Sequence, residues 1–452
     1  MASDNLTTRR LTTRLISLGL AAVLVHSILL FVVIPIFSGR LMPFYGQDRY
    51  IDGYDQIAAN LVGGNGYRFY PTTAKTLMRE PGYPILLAGI RFVFGNAFVA
   101  VKLANMLLAL VAAWLMTLIA RRLSNNQALI LVAPMLYLFH PGTVLAESRG
   151  GVELLFTALI SLFIVTLYKA IESNRRWHYA VSGAVLGLTV LVKSTPMLFP
   201  VFLLAYLLFC RRFTFGLVAV RRVAVMIVAM FAVLSPWVIR NYLLTGRFVP
   251  TASVLGVSAH AGQYISTHLA DDKSWMQLDR EAARERARLA MQLGYPFEDD
   301  VYYQSFYHSV DEVRFSNYLV GRVVNEYKTH PPLFVRCVRS NMFNFWFAGK
   351  TVRSTYANIV IQLPYVILGI MGVLLCVRNG QARIIGPLAT FMVYFVAVHI
   401  PILAQARYSM PLMPFLSVFA GLFLVETYGS LARLAEVVVE RNAAVSAGTR
   451  WL

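Results

Sequence analysis

Asp48, Asp52 and Asp55 crowd together just beyond the first long apolar run, and Arg79-Glu80 follows in the same polar stretch. Carboxylates beside a membrane span are costly to keep there, and their usual trade is proton transfer. Further along, Glu147, Arg149, Glu153, Lys193, Arg240 and Arg407 stand in or beside the connections between apolar runs. Basic side chains gathered on one face suit an anionic ligand, although a solvated mixed-charge surface explains them as well. Any one aspartate of the first group could equally be a helix cap, and Lys193 or Arg407 alone could be snorkelling.

The elements that must position these residues are membrane helices. The chain has 452 residues, 58% of them hydrophobic and 14% charged, with a net charge of +19. Its mean hydropathy is +0.60, which excludes a soluble enzyme and indicates a multi-pass protein. Apolar runs near 15–37, 99–120, 127–140, 152–170, 178–192, 196–210, 219–238, 357–377, 384–402 and 409–428 predict about ten spans across roughly 30 Å of hydrocarbon. The runs at 127–140 and 178–192 are short for that thickness. The first run extends beyond a signal-peptide core and has no small-residue cleavage site, so it reads as a retained helix.

Short basic connections set the orientation. Arg9, Arg10 and Arg14, then Arg121 and Arg122, Arg175 and Arg176, Arg211 to Arg222, and Arg378 to Arg383 recur in alternate connections. Both termini are therefore expected in the cytoplasm. The segments 38–98, 141–151, 193–195, 239–356 and 403–408 then share the opposite face, and all the candidate residues meet there. The organisation expected is a transmembrane module over 1–238, which includes the long outer loop 38–98. A small, mainly helical outer domain over 239–356 follows, then C-terminal spans and a cytoplasmic tail over 357–452.

Within the first outer loop, Asp48 or Asp52 is expected to cap a helix running to about Leu61, which Gly63-Gly64-Asn65-Gly66 ends. The segment 84–95 is too short to span and reads as an interfacial helix. In the large loop, 273–293 has the composition of an exposed helix, and Phe343, Phe345, Trp346 and Phe347 form an aromatic surface suited to the membrane interface or to sugar faces. Cys210, Cys337 and Cys376 offer no disulfide framework. His260 and His268 lack the spacing of a zinc site, and no internal repeat is visible.

The order of these features resembles a known family. One span is followed by an Asp-bearing loop, Tyr54-Asp55-Gln56-Ile57-Ala58-Ala59-Asn60-Leu61, Gly64-Asn65-Gly66-Tyr67 and Arg79-Glu80-Pro81-Gly82-Tyr83-Pro84. Later come Gly187 to Lys193, Pro236 to Tyr242 and Ala406 to Pro414. The series is similar to the GT-C glycosyltransferases, in the branch of protein O-mannosyltransferases, aminoarabinose transferases and galacturonosyltransferase-like proteins. The resemblance implies an inverting transfer of a sugar from a polyprenyl-phosphate donor to a hydroxyl acceptor on the periplasmic face of a bacterial inner membrane. It implies that Asp48 or Asp52 is the base, with Asp55 structural and Glu147 or Glu153 a second carboxylate that orients a hydroxyl. Lys193, Arg240 and Arg407, with Arg149 added, become ligands of the donor phosphate. Tyr54, Arg79 and Glu80 belong to the acceptor side.

Other partners would be a lipid, glycan or protein acceptor and membrane lipids, without nucleic acid. No cofactor is called for, and a divalent metal stays open. The competing readings are an O-antigen-ligase-like transferase and a lipid-linked glycan transporter or flippase.

Overall fold

The structure, a computed structural model, describes residues 2–37, 52–209, 216–268, 273–299 and 304–448. It is an all-α polytopic protein. The first span runs from α1 (Ala2–Ile28) through a π turn (Leu29–Val33) into α2 (Ile34–Phe37). Two short helices follow, α3 (Tyr54–Val62) and α4 (Gly82–Phe94). Next come α5 (Phe98–Leu123), α6 (Gln127–Leu138), α7 (Pro141–Glu147), α8 (Glu153–Ser173), α9 (Arg176–Val192), α10 (Phe199–Phe209) and α11 (Gly216–Thr245). A helical layer of α12 (Leu255–His268), α13 (Trp275–Gln292), α14 (Ser309–Thr329) and α15 (Pro331–Phe347) includes one small antiparallel hairpin, β1 (Phe297–Asp299) and β2 (Gln304–Phe306). The chain ends in α16 (Val352–Arg378), α17 (Ala382–His399) and α18 (Met413–Gly448).

The span count differs from the expected ten. Seven helices are long and apolar enough to cross a membrane, and an eighth exists if α6 and α7, bent by 54°, form one broken span. The runs at 178–192 and 196–210 are helices of 17 and 11 residues, α9 and α10. About half of α9 is buried against other helices, which a hydropathy window reads as lipid exposure, whereas α10 leaves Val201, Phe202, Leu208 and Phe209 exposed.

Close helix contacts explain how short α9 is held. A Cβ added at Gly183 would sit 2.1 Å from the carbonyl oxygen of Met226, and one at Gly187 would sit 2.8 Å from that of Met230. Glycines four residues apart thus let the backbones of α9 and α11 touch, the small-residue packing that membrane helices use in place of a hydrophobic drive. Replacing Gly183 with valine should lower thermal stability in detergent by several degrees and reduce monodisperse yield, since overpacking costs about 1–3 kcal/mol. Gly89→Ala, at a position with open space around it, should change neither. Size-exclusion profiles after heating would read the difference, and equal behaviour of the two variants would contradict this packing account.

The first loop corrects one expectation. The helix over 54–62 forms and stops at Gly63, but its N-cap is Gly53 at φ +74°, and no side chain caps it. Asp52 itself adopts φ +66°, and its carboxylate is held by Arg407. Asp48, the other expected cap, lies outside the described residues. The segment expected at 84–95 folds as the short helix α4, on which Phe92, Val93 and Phe94 are exposed. Its Arg91 donates to the Asp55 carboxylate at 2.7 Å, which ties α4 to α3 and gives Asp55 a structural job.

Candidate functional site

Where the membrane helices meet the helical layer, they enclose a chamber of about 560 Å³, within the range of small-molecule sites. Its charged lining comprises Asp52, Glu80, Glu153 and Asp279 against Arg79, Lys193, Arg286 and Arg407. Four acids thus face four bases. Asp279 and Arg286 come from within α13, and the others from helix ends or loops.

Asp52 and Arg407 form the centre. Arg407 Nη1 and Nη2 donate to the two carboxylate oxygens of Asp52 at 2.8 and 3.2 Å, the planar bidentate geometry that guanidinium provides. Glu153, the first residue of α8, lies 3.8 Å from Arg407 Nη1. A non-glycine residue at positive φ costs about 1–3 kcal/mol and persists only where its surroundings over-determine it. Here Arg79 Nε holds the carbonyl oxygen of Asp52 at 2.9 Å while Arg407 holds its carboxylate.

The Arg79-Glu80 turn is itself pinned. The hydroxyl of buried Tyr67 donates to the carbonyls of both residues at 3.0 Å. The backbone N–H of Ser194 donates to Glu80 Oε1 at 3.0 Å. One turn upstream, the Leu77 N–H donates to buried Glu312 at 2.7 Å, and burial pushes that carboxyl up to about 7. Tyr54 packs edge-on against Tyr83, with the Arg79 guanidinium over its ring.

Lys193 follows the last residue of α9. Its ammonium sits 4.1 Å from the centre of the Tyr408 ring and 5.8 Å from that of Phe156. Burial pulls its pKa down to about 8, opposed by the nearby Glu153 carboxylate and reinforced by Arg407. An ammonium held by rings keeps its hydrogen-bonding capacity for something that enters the chamber.

Three expected site residues lie elsewhere. Glu147 is fully buried and accepts from His26 Nδ1 at 2.9 and 3.0 Å, so it fastens α1 to α7. Arg240 stacks over Trp237 and Tyr67, with its guanidinium carbon 4.3 and 5.1 Å from the ring centres, and donates to the carbonyl of Thr76 at 3.0 Å. That bond braces the Arg79-Glu80 turn from behind. Arg149 is exposed and does not line the chamber, although its charge acts on Glu153 and Arg407 beside it. No cluster able to hold a metal ion occurs among the described residues.

The chamber also contains residues that the sequence reading passed over. Asp279, Arg286 and Trp275 come from α13, His399 from the end of α17, and Gln405 from the segment before Arg407. The ring of His399 lies 5.3 Å from that of Tyr408. Met197, Leu198 and Val398 make one side of the chamber apolar, and Leu198 is 56% exposed, which continues that side to the outer surface of the helices.

Comparison with known proteins agrees with this architecture. A family model described as dolichyl-phosphate-mannose-protein mannosyltransferase matches residues 78–239. Over 164 residues, 35% of this chain and 28% of the relative, the sequence is 30% identical to an undecaprenyl phosphate-alpha-4-amino-4-deoxy-L-arabinose arabinosyl transferase of Pseudomonas fluorescens. The oligosaccharyltransferase of Archaeoglobus fulgidus in its apo form superposes with a TM-score of 0.54 at 14% identity, over 94% of this chain and 52% of that one. The same enzyme tethered to an acceptor peptide containing the NVT sequon gives 0.53 at 13% identity, over 92% and 50%. The chain therefore spans about a quarter to a half of the proteins it matches. Over nearly its whole length the fold is thus similar to that of an oligosaccharyltransferase, and residues 78–239 match the mannosyltransferase family model.

Proposed function

We propose that the protein is an inverting glycosyltransferase of the bacterial inner membrane, moving a sugar from a polyprenyl-phosphate donor to a hydroxyl acceptor on the periplasmic face. The observation that carries this reading is the Asp52–Arg407 pair beside Glu153 and Lys193, in a chamber with one apolar side. The family-model match and the polyprenyl-phosphate donor in the name of the Pseudomonas relative support the donor class.

In the reaction, Asp52 takes the proton of the acceptor hydroxyl as its oxygen attacks the anomeric carbon. The bond between that carbon and the phosphate oxygen breaks, and the lipid phosphate leaves with the electron pair. A single displacement inverts the anomeric centre. Lys193 and Arg407 stabilise the charge gathering on the phosphate. Arg407 cannot serve both partners fully, so donor binding draws its guanidinium from Asp52 and releases that carboxylate to act as a base. Glu153 then orients Arg407 or a donor hydroxyl, and Tyr54, Arg79 and Glu80 fix the acceptor wall.

Lys193 gives this scheme a pH signature. Its ammonium is held down to about 8, so it is charged below that pH and binds anions best there. Undecaprenyl phosphate affinity should fall several-fold as pH rises from 7 to 9, and Lys193→Arg should flatten the profile. The loss would not reflect unfolding. A lysine whose folded pKa lies below the ordinary 10.5 binds fewer protons folded than unfolded between about 8 and 10.5, so its contribution to stability rises with pH there. A pH-independent wild-type affinity would remove Lys193 from the phosphate site.

The function itself is tested by mass spectrometry of envelope glycolipids and glycans from cells with and without the protein. The expected result is a glycoform missing from the null strain and restored by the wild-type chain but not by Asp52→Asn. An unchanged glycan profile, or donor translocation across vesicles without sugar transfer, would replace this reading with a transporter.

A further inference from the structure

One wall of the chamber has no task in the scheme above. Trp275, Asp279 and Arg286 all line it from α13. Steps of four and seven residues return nearly to the same side of an α-helix, so the three form one stripe. The stripe is chemically mixed: an indole, a carboxylate and a guanidinium, the last in a residue only 2% exposed. The indole Nε1–H of Trp275 is buried and finds no hydrogen-bond partner among the described residues. A buried donor left without a partner is costly, and a ligand acceptor would recover that cost.

The stripe is also held in register with the floor of the chamber. The Ser274 and Gln277 side chains form a capping box, and the Met276 N–H donates to the Lys350 carbonyl at 3.2 Å, fixing the start of α13. Helix α12, which packs on α13, is pressed onto the segment before Arg407: a Cβ at Gly262 would fall 1.7 Å from the carbonyl oxygen of Ile402. Burial pushes the Asp279 carboxyl up, opposed by the charges of Arg286 and Arg407 and reinforced by that of Asp52. The wall therefore faces the reacting pair rather than bulk solvent.

Building on the glycosyltransferase reading, we infer that Trp275, Asp279 and Arg286 form the subsite that reads the hydroxyl groups of the transferred sugar. A carboxylate accepts from two hydroxyls, a guanidinium donates in a fixed fork, and an indole offers a ring face and one N–H. Together they match a hydroxylated pyranose or furanose ring. The acid and the base cancel, so the wall adds no net charge. A uronic acid's carboxylate or an amino sugar's ammonium would find no excess of opposite charge on this wall. The sugar selected is uncharged. The three are specificity residues, and the phosphate of the donor stays with Lys193 and Arg407.

The experiment measures binding to the full-length protein in nanodiscs of bare undecaprenyl phosphate and of its mannosyl, glucosyl, galactosyl, arabinosyl and galacturonosyl esters. Wild type should bind at least one uncharged ester about tenfold more tightly than the bare lipid. Asp279→Asn, Arg286→Gln and Trp275→Phe should each erase most of that gain and leave the bare lipid within twofold, at unchanged thermal stability. Trp275→Phe keeps the ring and tests the N–H where the Arg286 variant fails to fold. The inference is overturned if no ester surpasses the bare lipid, if the galacturonosyl ester binds best, if the gain survives all three substitutions, or if both ligands weaken together. Failure of bare undecaprenyl phosphate to bind at all would instead strike the proposed donor class.

Discussion

Asp52→Asn should lower the rate of sugar transfer by about 10²–10⁴-fold, the usual worth of a positioned general base. The amide is isosteric and still accepts from Arg407, so the chamber should keep its shape. It cannot take a proton. Donor affinity should hold or improve, because Arg407 loses a bidentate carboxylate partner and becomes more available to the phosphate. Single-turnover transfer together with undecaprenyl phosphate binding separates the two effects. Near-normal transfer in Asp52→Asn, combined with loss in Asp48→Asn, would move the role to Asp48. Normal transfer in both would discard the carboxylate-base mechanism.

Arg407→Gln should reduce kcat/KM by about 10²–10³-fold, the range seen when one preorganised donor to a developing anion is removed. The effect has two sources. The leaving phosphate loses a ligand, and Asp52 at φ +66° loses the partner that holds its carboxylate. Arg407→Lys should rescue little, because an ammonium cannot reproduce the two parallel contacts at 2.8 and 3.2 Å. Kinetics with donor varied at saturating acceptor would read this. Full rescue by lysine would mean that Arg407 contributes only charge.

Much of this site could be read without coordinates, and for one physical reason. A charge at the end of an apolar helix is conspicuous, and Asp52, Glu153, Lys193 and Arg407 all occupy such positions. The same reason misplaced Arg240. At a span end, an arginine stacked on Trp237 and Tyr67 has the same sequence signature as one aimed into a cavity. Glu147 went unrecognised as a helix clamp because its partner, His26, lies 121 residues earlier. Asp279 and Arg286 were hidden for the opposite reason. In a helix as charged as α13, no single acid or base stands out, and the burial of Leu278, Ala282, Arg286 and Ala290 is what marks its inward side.

The apolar side of the chamber, with Met197, Leu198 and Val398 and its exposed edge at Leu198, bears on how substrate supply should be reckoned. A donor that arrives sideways through the hydrocarbon never dissolves in water, so its concentration is a number per area of bilayer. Saturation then depends on the mole fraction of donor among the lipids, and diluting the membranes in buffer leaves it untouched. Competition would come from other polyprenyl phosphates sharing the same leaflet. For such a protein, abundance of its neighbours in the plane sets the working rate as surely as the chemistry at Asp52.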